Sequence, residues 1–313
     1  MRTEELRLTA FDGTEIHVHH WSPGGDVAPR GAVQIAHGMA EHGGRYAPVA
    51  EALVGAGYLV WASDHRGHGR TARVPEELGH FADAGGWDAA MADVDRLVRH
   101  IAEAHPELPR CLLGHSMGSY MAQQYMASHP DAVQAVVLSG SNVGGGALVK
   151  LGRGIARAER LRQGPRGRSP VIQAMSFDAW NRRFKPNRTE FDWLSRDPAQ
   201  VDAYVADPLC GFQCSNQLWI DLLDALDALG RRSHFQALPR HLPVHVIAGT
   251  EDPVSDGTKG LHELLDAYRK VGMTRVSHVF YEGARHEVFN ETNRGQVLEE
   301  LVRWLDASLE PAA

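Results

Sequence analysis

The stretch of residues 110–129, RCLLGHSMGSYMAQQYMASH, constrains the fold of this chain more than any other. It begins with an apolar run at residues 111–113 that is typical of a buried strand, and it ends in a segment with the period of an α-helix. Between them lies Gly-x-Ser-x-Gly, with Ser116 at its centre. A serine exposed on so sharp a turn brings the start of the helix against the end of the strand. Side chains would collide there, so only glycine fits at the position two residues before the serine and at the position two residues after it. Ser116 is therefore a candidate nucleophile.

Strands and helices alternate along most of the chain. Apolar runs predict strands at residues 32–36, 58–63, 133–138, 244–248 and 275–281. Helical periodicity predicts helices at residues 46–56, 87–105, 258–270 and 295–309. The first 22 residues, with Asp12-Gly13 at a turn, predict a β-hairpin. Repeated strand–helix–strand units of this kind predict an α/β fold in which helices flank a mostly parallel central sheet.

The alternation is interrupted between residues 145 and 238, where helical stretches and loops occur without a convincing strand. We therefore predict a core domain made of residues 1–144 and 239–313 and a helical cap, or lid, made of residues 145–238. The aromatic side chains that are dense in this insertion are Phe177, Trp180, Phe184, Phe191, Trp193, Phe212 and Trp219. Such density suits a lid over an apolar pocket, although part of it must form the insertion's own core.

Composition argues against several classes of protein. The net charge of −7, with no basic face along the chain, excludes a typical nucleic-acid partner. No run of about 18 apolar residues predicts a transmembrane helix, and the N-terminus lacks the apolar core of a signal peptide. Three cysteines cannot build a disulfide framework, which agrees with a reducing compartment. A cytoplasmic location is then the default expectation.

Two groups of residues raise the question of a metal site. His17 and His19 lie on one face of a predicted strand, but no third ligand is suggested, and we interpret them as a solvated edge-strand face. Cys210 and Cys214 have neither a second cysteine pair nor a histidine at a suitable spacing. We therefore predict no metal ion and no cofactor.

Residues 145–170 carry a local excess of positive charge. Seven basic side chains and one acidic side chain give this segment 7 − 1 = +6 within a chain of net charge −7. Its first part has apolar residues near helical spacing and could form a basic amphipathic helix that touches a membrane transiently, which would make the protein peripheral. The alternative, which we favour, is a solvated helix face followed by a mobile loop.

A catalytic serine requires a base and an acid, and the second half of the chain supplies candidates for both. A serine hydroxyl is a poor nucleophile until a base accepts its proton. His286 follows a predicted strand and could accept that proton and return it to a leaving alcohol. Asp252 follows another predicted strand and would orient His286, with Glu251 and Asp256 as its competitors. The chain order of Ser116, Asp252 and His286 is that of an α/β-hydrolase triad.

The negative oxygen that forms when a serine attacks an ester needs N–H donors. The first donor would be the amide of Met117, directly after the nucleophile, and the second the amide of Met39 in the loop after an early strand. Loss of one such donor removes about 3–4 kcal/mol of transition-state stabilisation. Only the backbone amides of these two residues are assigned a role, because the methionine side chains could simply pack against their neighbours.

Five motifs together resemble the monoacylglycerol lipase and lysophospholipase-like branch of the α/β-hydrolases. They are HGMAEHGGRY (37–46), DHRGHGRT (64–71), GHSMGS (114–119), GTEDPVS (249–255) and YEGARHEVFNE (281–291). The resemblance implies an α/β-hydrolase fold with a lid and a serine hydrolase that cleaves monoacylglycerols or related single-chain lipid esters. It also implies that Ser116, Asp252 and His286 form the triad and that the amides of Met39 and Met117 form the oxyanion hole.

The chain departs from this branch at two places. Met39-Ala40 stands where the animal lipases have a small residue and a glycine, which would narrow the pocket on the alcohol side. Ser119 replaces the glycine that usually follows the serine motif, a mild change.

Several functions remain open at this stage. We predict a serine carboxylic ester hydrolase that acts through an acyl-Ser116 intermediate, with a lysophospholipase or a broad-range esterase as close alternatives. A serine peptidase or amidase would use the same triad, but no acidic cluster for a substrate amino terminus can be assigned. A non-catalytic binding protein of the same fold should lack a triad member, and none is lacking here. Acyl chain length, head group and oligomeric state cannot be derived from these residues.

Overall fold

An eight-stranded sheet lies at the centre of the chain, whose computed structural model describes residues 1–25 and 28–309. Its strands are β1 (Arg2–Thr9), β2 (Glu15–Ser22), β3 (Gly31–Ala36), β4 (Tyr58–Ser63), β5 (Arg110–His115), β6 (Ala135–Ser139), β7 (Val244–Gly249) and β8 (Val276–Tyr281). Their spatial order is β1-β2-β4-β3-β5-β6-β7-β8, and all pairs from β4 across to β8 are parallel. The predicted mostly parallel sheet is confirmed. Residues 26–27 and 310–313 of the predicted core range lie outside the described residues.

Helices cover both faces of this sheet. In the described part of the chain the α-helices are α1 (Ala47–Gly55), α2 (Gly86–Ala104), α3 (Met117–Ser128), α4 (Gly146–Gln163), α5 (Pro170–Met175), α6 (Phe177–Asn181), α7 (Pro198–Ala206), α8 (Asn216–Leu229), α9 (Arg232–Ala237), α10 (Lys259–Lys270) and α11 (Arg294–Leu309). Alternate residues of β6 point to opposite faces: Val136 and Leu138 pack in the apolar cluster of α3 and α10, whereas Ala135 and Val137 pack in that of α1 and α11. Burial on both faces explains why this strand is apolar throughout.

The N-terminal hairpin is confirmed, but the interpretation of its histidines is wrong. Strands β1 and β2 pair antiparallel, and β1 forms the edge of the sheet, so β2 is an interior strand that also pairs with β4. His17 and His19 are therefore buried, with 4% and 7% of their surface exposed, rather than part of a solvated face. The burial of these histidines follows from the order of strands in the sheet, because β1 and β4 flank β2. The alternation of residues within β2 could not show that order.

Residues 145–238, which we refer to as the helical segment, lie between β6 and β7 and hold α4 to α9 without a strand. Part of their aromatic density forms a core of the segment itself: the rings of Phe177, Trp180 and Trp193 lie 5.0–5.5 Å apart. Three leucines of α4, at positions 148, 151 and 161, are exposed by 83%, 57% and 87%. No helix within residues 1–25 and 28–309 has the length and apolarity that crossing a membrane requires.

Candidate active site

Ser116 sits on the turn that joins β5 to α3 and has the backbone geometry that its motif predicts. Its φ of 51° and ψ of −119° lie in a region that residues other than glycine rarely adopt. The Ser116 amide donates to the carbonyl of Ser139 at the end of β6 (2.8 Å), which ties the turn to the neighbouring strand. Backbone strain of this kind persists where contacts with the surrounding structure hold the residue in place, and it is frequent at functional sites.

The two glycines of the motif are required by close backbone contacts. A Cβ atom on Gly114 would lie 2.2 Å from the carbonyl oxygen of Gly118, and a Cβ atom on Gly118 would lie 2.0 Å from that of Ala36 in β3. Both distances are far below van der Waals contact, and the atoms that would have to move belong to the backbone. The start of α3 thus packs on β5 and β3 only because both positions lack a side chain.

Asp252 and His286 are hydrogen-bonded to each other. Nδ1 of His286 lies 2.9 Å from Oδ1 of Asp252, and the two side chains are exposed by 2% or less. Asp252 follows β7 and His286 follows β8, which are neighbours in the sheet. The competing acids do not make this contact: Glu251 and Asp256 are both exposed, and Asp256 lies 3.6 Å from Arg183.

Asp252 also sets the protonation of His286. Burial acts to lower the pKa of His286, but the charge and hydrogen bond of Asp252 outweigh it, with smaller contributions from Glu287 and Glu41, so the pKa is raised above its ordinary value. Nε2 of His286 is buried and has no hydrogen-bond partner among the described residues. This nitrogen remains available to accept a proton.

Ser116 and His286 line the same cavity, although no hydrogen bond joins them. Two rings pack near the imidazole of His286, with His115 at 4.8 Å and Trp193 at 5.0 Å between ring centroids. A Cβ atom on Gly140 would lie 2.9 Å from Cε1 of His286, so this glycine also permits the imidazole to stand where it does. Hydrogen bonds of a resting catalytic site are often long and shorten when substrate binds.

The two predicted oxyanion donors lie beside the nucleophile. Met117 is the first residue of α3, where amides have no partner within the helix. Met39 follows Gly38, whose own Cβ, if present, would lie 3.2 Å from Cβ of Ser116. Both methionines line the cavity with Ser116. The N-terminal end of α3 and the loop after β3 therefore both border the cavity beside Ser116.

A buried ion-pair network supports both loops of the site, and the sequence did not reveal it. Glu41 accepts a hydrogen bond from the amide of Gly38 (2.6 Å) and another from the hydroxyl of Tyr46 (2.9 Å). Arg45 pairs with Glu41 and also holds both carboxylate oxygens of Glu287 at 2.7 Å. Burial would raise the pKa of Glu287, but the charge and hydrogen bonds of Arg45 outweigh burial and hold that pKa well below its ordinary value. Arg45 thereby links the loop of Met39 to the residue that follows His286.

Both departures from the related lipases have a local structural consequence. Ala40 has a φ of 57°, a conformation that glycine adopts more easily, and its carbonyl accepts hydrogen bonds from the hydroxyl of Tyr204 (2.8 Å) and the amide of Gly211 (3.0 Å). These contacts join the loop to the helical segment. The hydroxyl of Ser119 lies 2.6 Å from the carbonyl oxygen of Ser116 and so adds a contact to the turn.

The cavity in front of Ser116 has a volume of about 510 Å³ and is mostly apolar. Its wall on the side of the helical segment contains Leu148, Leu151, Ile155, Ile172, Phe177, Trp180, Leu222 and Leu226. Polar side chains are fewer, and they include Asn142, Asp256, Lys259 and Glu263. A cavity of this size and chemistry suits a small organic molecule with a long apolar part.

Comparisons with known proteins show the family and the fold of this chain. The family model described as serine aminopeptidase, S33 (Hydrolase_4) matches residues 27–293. A monoacylglycerol lipase of Mycolicibacterium smegmatis is 34% identical over 97% of this chain and 98% of its own. The monoglyceride lipase of Mus musculus is 29% identical over 95% of this chain and 89% of its own.

A solved structure is similar over the whole chain. The carboxyl esterase of Bacillus coagulans, solved in complex with glycerol, superposes with a TM-score of 0.89 at 26% identity and covers 99% of both chains. The α/β-hydrolase fold and the resemblance to monoacylglycerol lipases, both inferred from five motifs, are confirmed.

Proposed function

Because this chain belongs to the serine aminopeptidase, S33 family of α/β-hydrolases, we propose that it cleaves monoacylglycerols or similar single-chain lipid esters with Ser116 as nucleophile. The chain is a carboxylic ester hydrolase, as its monoacylglycerol lipase relatives and the esterase structure indicate. The proposal rests chiefly on one observation. His286 is bonded to the buried Asp252, its Nε2 has no hydrogen-bond partner among the described residues, and it lines the same apolar cavity as Ser116.

The chemistry that follows is acyl transfer in two halves. Oγ of Ser116 attacks the ester carbonyl as its proton passes to Nε2 of His286, and the amides of Met39 and Met117 donate to the new oxyanion. Asp252 stabilises the imidazolium so formed. When the tetrahedral intermediate collapses, the ester C–O bond breaks and the leaving glycerol oxygen takes the proton from His286. Water then repeats the sequence on the acyl-Ser116, which releases the fatty acid and restores the neutral imidazole.

The substrate class follows from the lining of the cavity. A single acyl chain can lie against the apolar side chains of the helical segment, whereas the few polar groups suit a small alcohol such as glycerol. A lysophospholipase or a broad-range esterase would use the same site with a different head group, and these remain the alternatives. The presence of every triad residue argues against a protein that only binds lipid.

Aminopeptidase activity, which the family description suggests, is the second candidate. An aminopeptidase needs free carboxylates that bind the α-amino group of its substrate. Glu41, which accepts from the amide of Gly38, and Glu287, which follows His286, both line this cavity, and both are paired with Arg45. A substrate ammonium at either of these two carboxylates would have to displace a buried guanidinium, so we favour ester substrates.

A substrate panel tests this assignment. We expect kcat/KM for monoacylglycerols to exceed that for aminoacyl amides of matched size by at least about 100-fold, because the amide substrate would leave its buried ammonium unpaired. The panel should also set monoacylglycerols of graded chain length against lysophospholipids and short water-soluble esters. A preference for the aminoacyl amides would contradict the proposal.

We also propose the division into two parts that the sequence indicated, with residues 1–144 and 239–313 as the core and residues 145–238 as the cap. Most of the apolar wall of the cavity comes from the helical segment, as a cap over the site requires. The triad and the oxyanion donors all lie outside it.

We propose, further, that α4 makes transient contact with membranes, so that the protein is peripheral. Leu148 and Leu151 are exposed and also line the cavity, so an acyl chain could pass over them on its way from a bilayer. Part of the positive charge is neutralised locally, since Arg153 pairs with Asp224 at 2.6 Å and with Asp227 at 3.0 Å. Apolar contact is therefore expected to contribute more than charge.

Replacing Leu148 and Leu151 together by serine should weaken binding to phosphatidylcholine vesicles about tenfold, because the apolar area that enters the bilayer is lost. Co-sedimentation measures the binding, and hydrolysis of a short soluble ester reports whether the site is intact. Val205→Ser on α7 is the matched control, since Val205 is likewise exposed by 52% but lies away from the cavity lining. Equal vesicle binding by wild type and both variants would refute the contact through α4.

A further inference from the structure

Two buried histidines of the N-terminal hairpin have no role in the site described above. His17 and His19 lie two residues apart on β2, so their side chains share one face of the strand, and their rings are 4.6 Å apart between centroids. Both side chains are more than nine-tenths buried, and Nε2 of each makes no close hydrogen bond in the described part of the chain. The nearest carboxylate oxygens are Oε2 of Glu5, 3.9 Å from Nε2 of His17, and Oδ1 of Asp64, 3.4 Å from Nε2 of His19. Buried polar atoms are nearly always hydrogen-bonded, so two adjacent imidazole nitrogens with only these longer contacts to carboxylates leave room for a further partner.

The neighbouring strand supplies a third donor. Glu5 of β1 stands directly opposite His19 in the antiparallel register. One oxygen of its carboxylate, Oε1, accepts from Arg70, and the other, Oε2, lies 3.9 Å from Nε2 of His17. One donor atom from each of Glu5, His17 and His19 can be chosen so that all three lie within 4.8 Å of one another. Ligands of a tetrahedral zinc ion are about 3.3–3.5 Å apart, so small side-chain rotations would close the site.

We propose that Glu5, His17 and His19 bind a single divalent transition-metal ion, with zinc as the expected occupant. Two imidazole nitrogens and one carboxylate oxygen form a set that suits Zn²⁺ and leaves a fourth position for water. Calcium and magnesium prefer shells made of oxygen, which this site does not offer. The partly exposed Glu5 gives the ion a route from solvent.

The burial of His17 agrees with this assignment. Burial is the main cause that lowers the pKa of His17, so its imidazole is neutral near pH 7 and its nitrogen is free to bind a metal. The carboxylates of Glu5 and Asp64 offset the charge of Arg70 near the site. An ion held here would connect β1 to β2 and so stabilise the edge of the sheet.

A second group, made of His19, His42 and Asp64, is less suited to a metal. His42 is already bonded to Asp207 at 2.9 Å, and Asp64 accepts hydrogen bonds from the amides of Gly43 and Arg70. Binding there would break contacts that already exist. Because these two groups share His19, an ion bound at one excludes an ion at the other.

The test uses untagged full-length protein that has been treated with a chelator and then titrated with zinc by calorimetry. We expect one equivalent to bind, the unfolding temperature to rise by several degrees, and Co²⁺ to give the visible absorption of a tetrahedral site. Mg²⁺ should produce none of these effects. The double variant His17→Gln/His19→Gln should lose the bound equivalent and the thermal shift while it keeps its ester hydrolysis and circular dichroism.

The matched control is His20→Gln on the same strand. His20 points to the opposite face, where its ring stacks on Trp61 at 4.4 Å, and it also faces a glutamate, Glu4, at 3.5 Å. This variant should bind zinc like the wild type. Absence of saturable binding by the wild type at micromolar zinc would overturn the proposal. Binding that survives in the double variant, or that is lost only in His42→Gln, would overturn it as well.

Discussion

Replacement of Ser116 by alanine is expected to lower kcat for ester hydrolysis by about 10⁵- to 10⁶-fold, because the acyl-enzyme route then has no nucleophile. The variant should fold normally. Within the described part of the chain, the hydrogen bonds that hold residue 116 in the turn come from its backbone, which alanine keeps. Alanine also has the same Cβ at the strained φ of 51°, so the substitution adds no new clash.

Two measurements check this prediction. Steady-state hydrolysis of a monoacylglycerol gives the loss of activity, and labelling with a fluorophosphonate shows whether a covalent adduct still forms. Ser128→Ala is the matched control, since Ser128 lies at the other end of α3 and is exposed. Labelling of a folded Ser116→Ala protein, or near wild-type turnover by it, would rule out Ser116 as the nucleophile.

Asp252→Asn is expected to lower kcat by about 10⁴-fold, since asparagine stabilises the wrong tautomer of His286 and leaves the imidazolium without a counter-charge. The dependence on pH should change as well. In the wild type, kcat/KM falls as pH decreases through the pKa of His286, because the base must be neutral to accept a proton. Asp252 raises this pKa above its ordinary value of 6.5. Without the carboxylate, burial dominates, so the acidic limb of the residual activity should move to lower pH.

A pH series of kcat/KM for the wild type and Asp252→Asn measures this shift. Glu251→Gln is the control, because Glu251 is the adjacent carboxylate, is exposed, and differs from Asp252 in lacking the hydrogen bond to His286. It should leave both the rate and the acidic limb unchanged. A larger loss in Glu251→Gln than in Asp252→Asn would show that the acid of the triad is wrongly assigned.

Much of the fold could be predicted from the sequence because its signals are local. Strands β3 to β8 and helices α1, α2, α3, α10 and α11 appear in the sequence as apolar runs and helical periods, and the structure places them within a few residues of the predicted bounds. The Gly-x-Ser-x-Gly turn is equally local, since Gly114 and Gly118 lie within two positions of Ser116. Strand ends then indicated which loops meet at one edge of the sheet.

Contacts between distant parts of the chain were beyond such prediction. Arg45 and Glu287 are 242 positions apart, and nothing in either segment specifies that they pair. The same holds for Ala40, whose carbonyl is held by Tyr204 from the helical segment. These interactions depend on how loops after different strands face one another, which periodicity and spacing do not encode.

The sequence by itself determined the α/β class, the identity of the candidate nucleophile, base and acid, and the membership of a lipase-like branch, because each depends on short motifs or on regular spacing. The tertiary structure alone decided the environment of those residues. It paired Asp252 with His286, lined the cavity with side chains of the helical segment, and placed β2 inside the sheet with Glu5 opposite His19. The physical reason is that burial, pKa and ligand geometry are set by neighbours in space, and strand order brings together residues that the chain keeps apart.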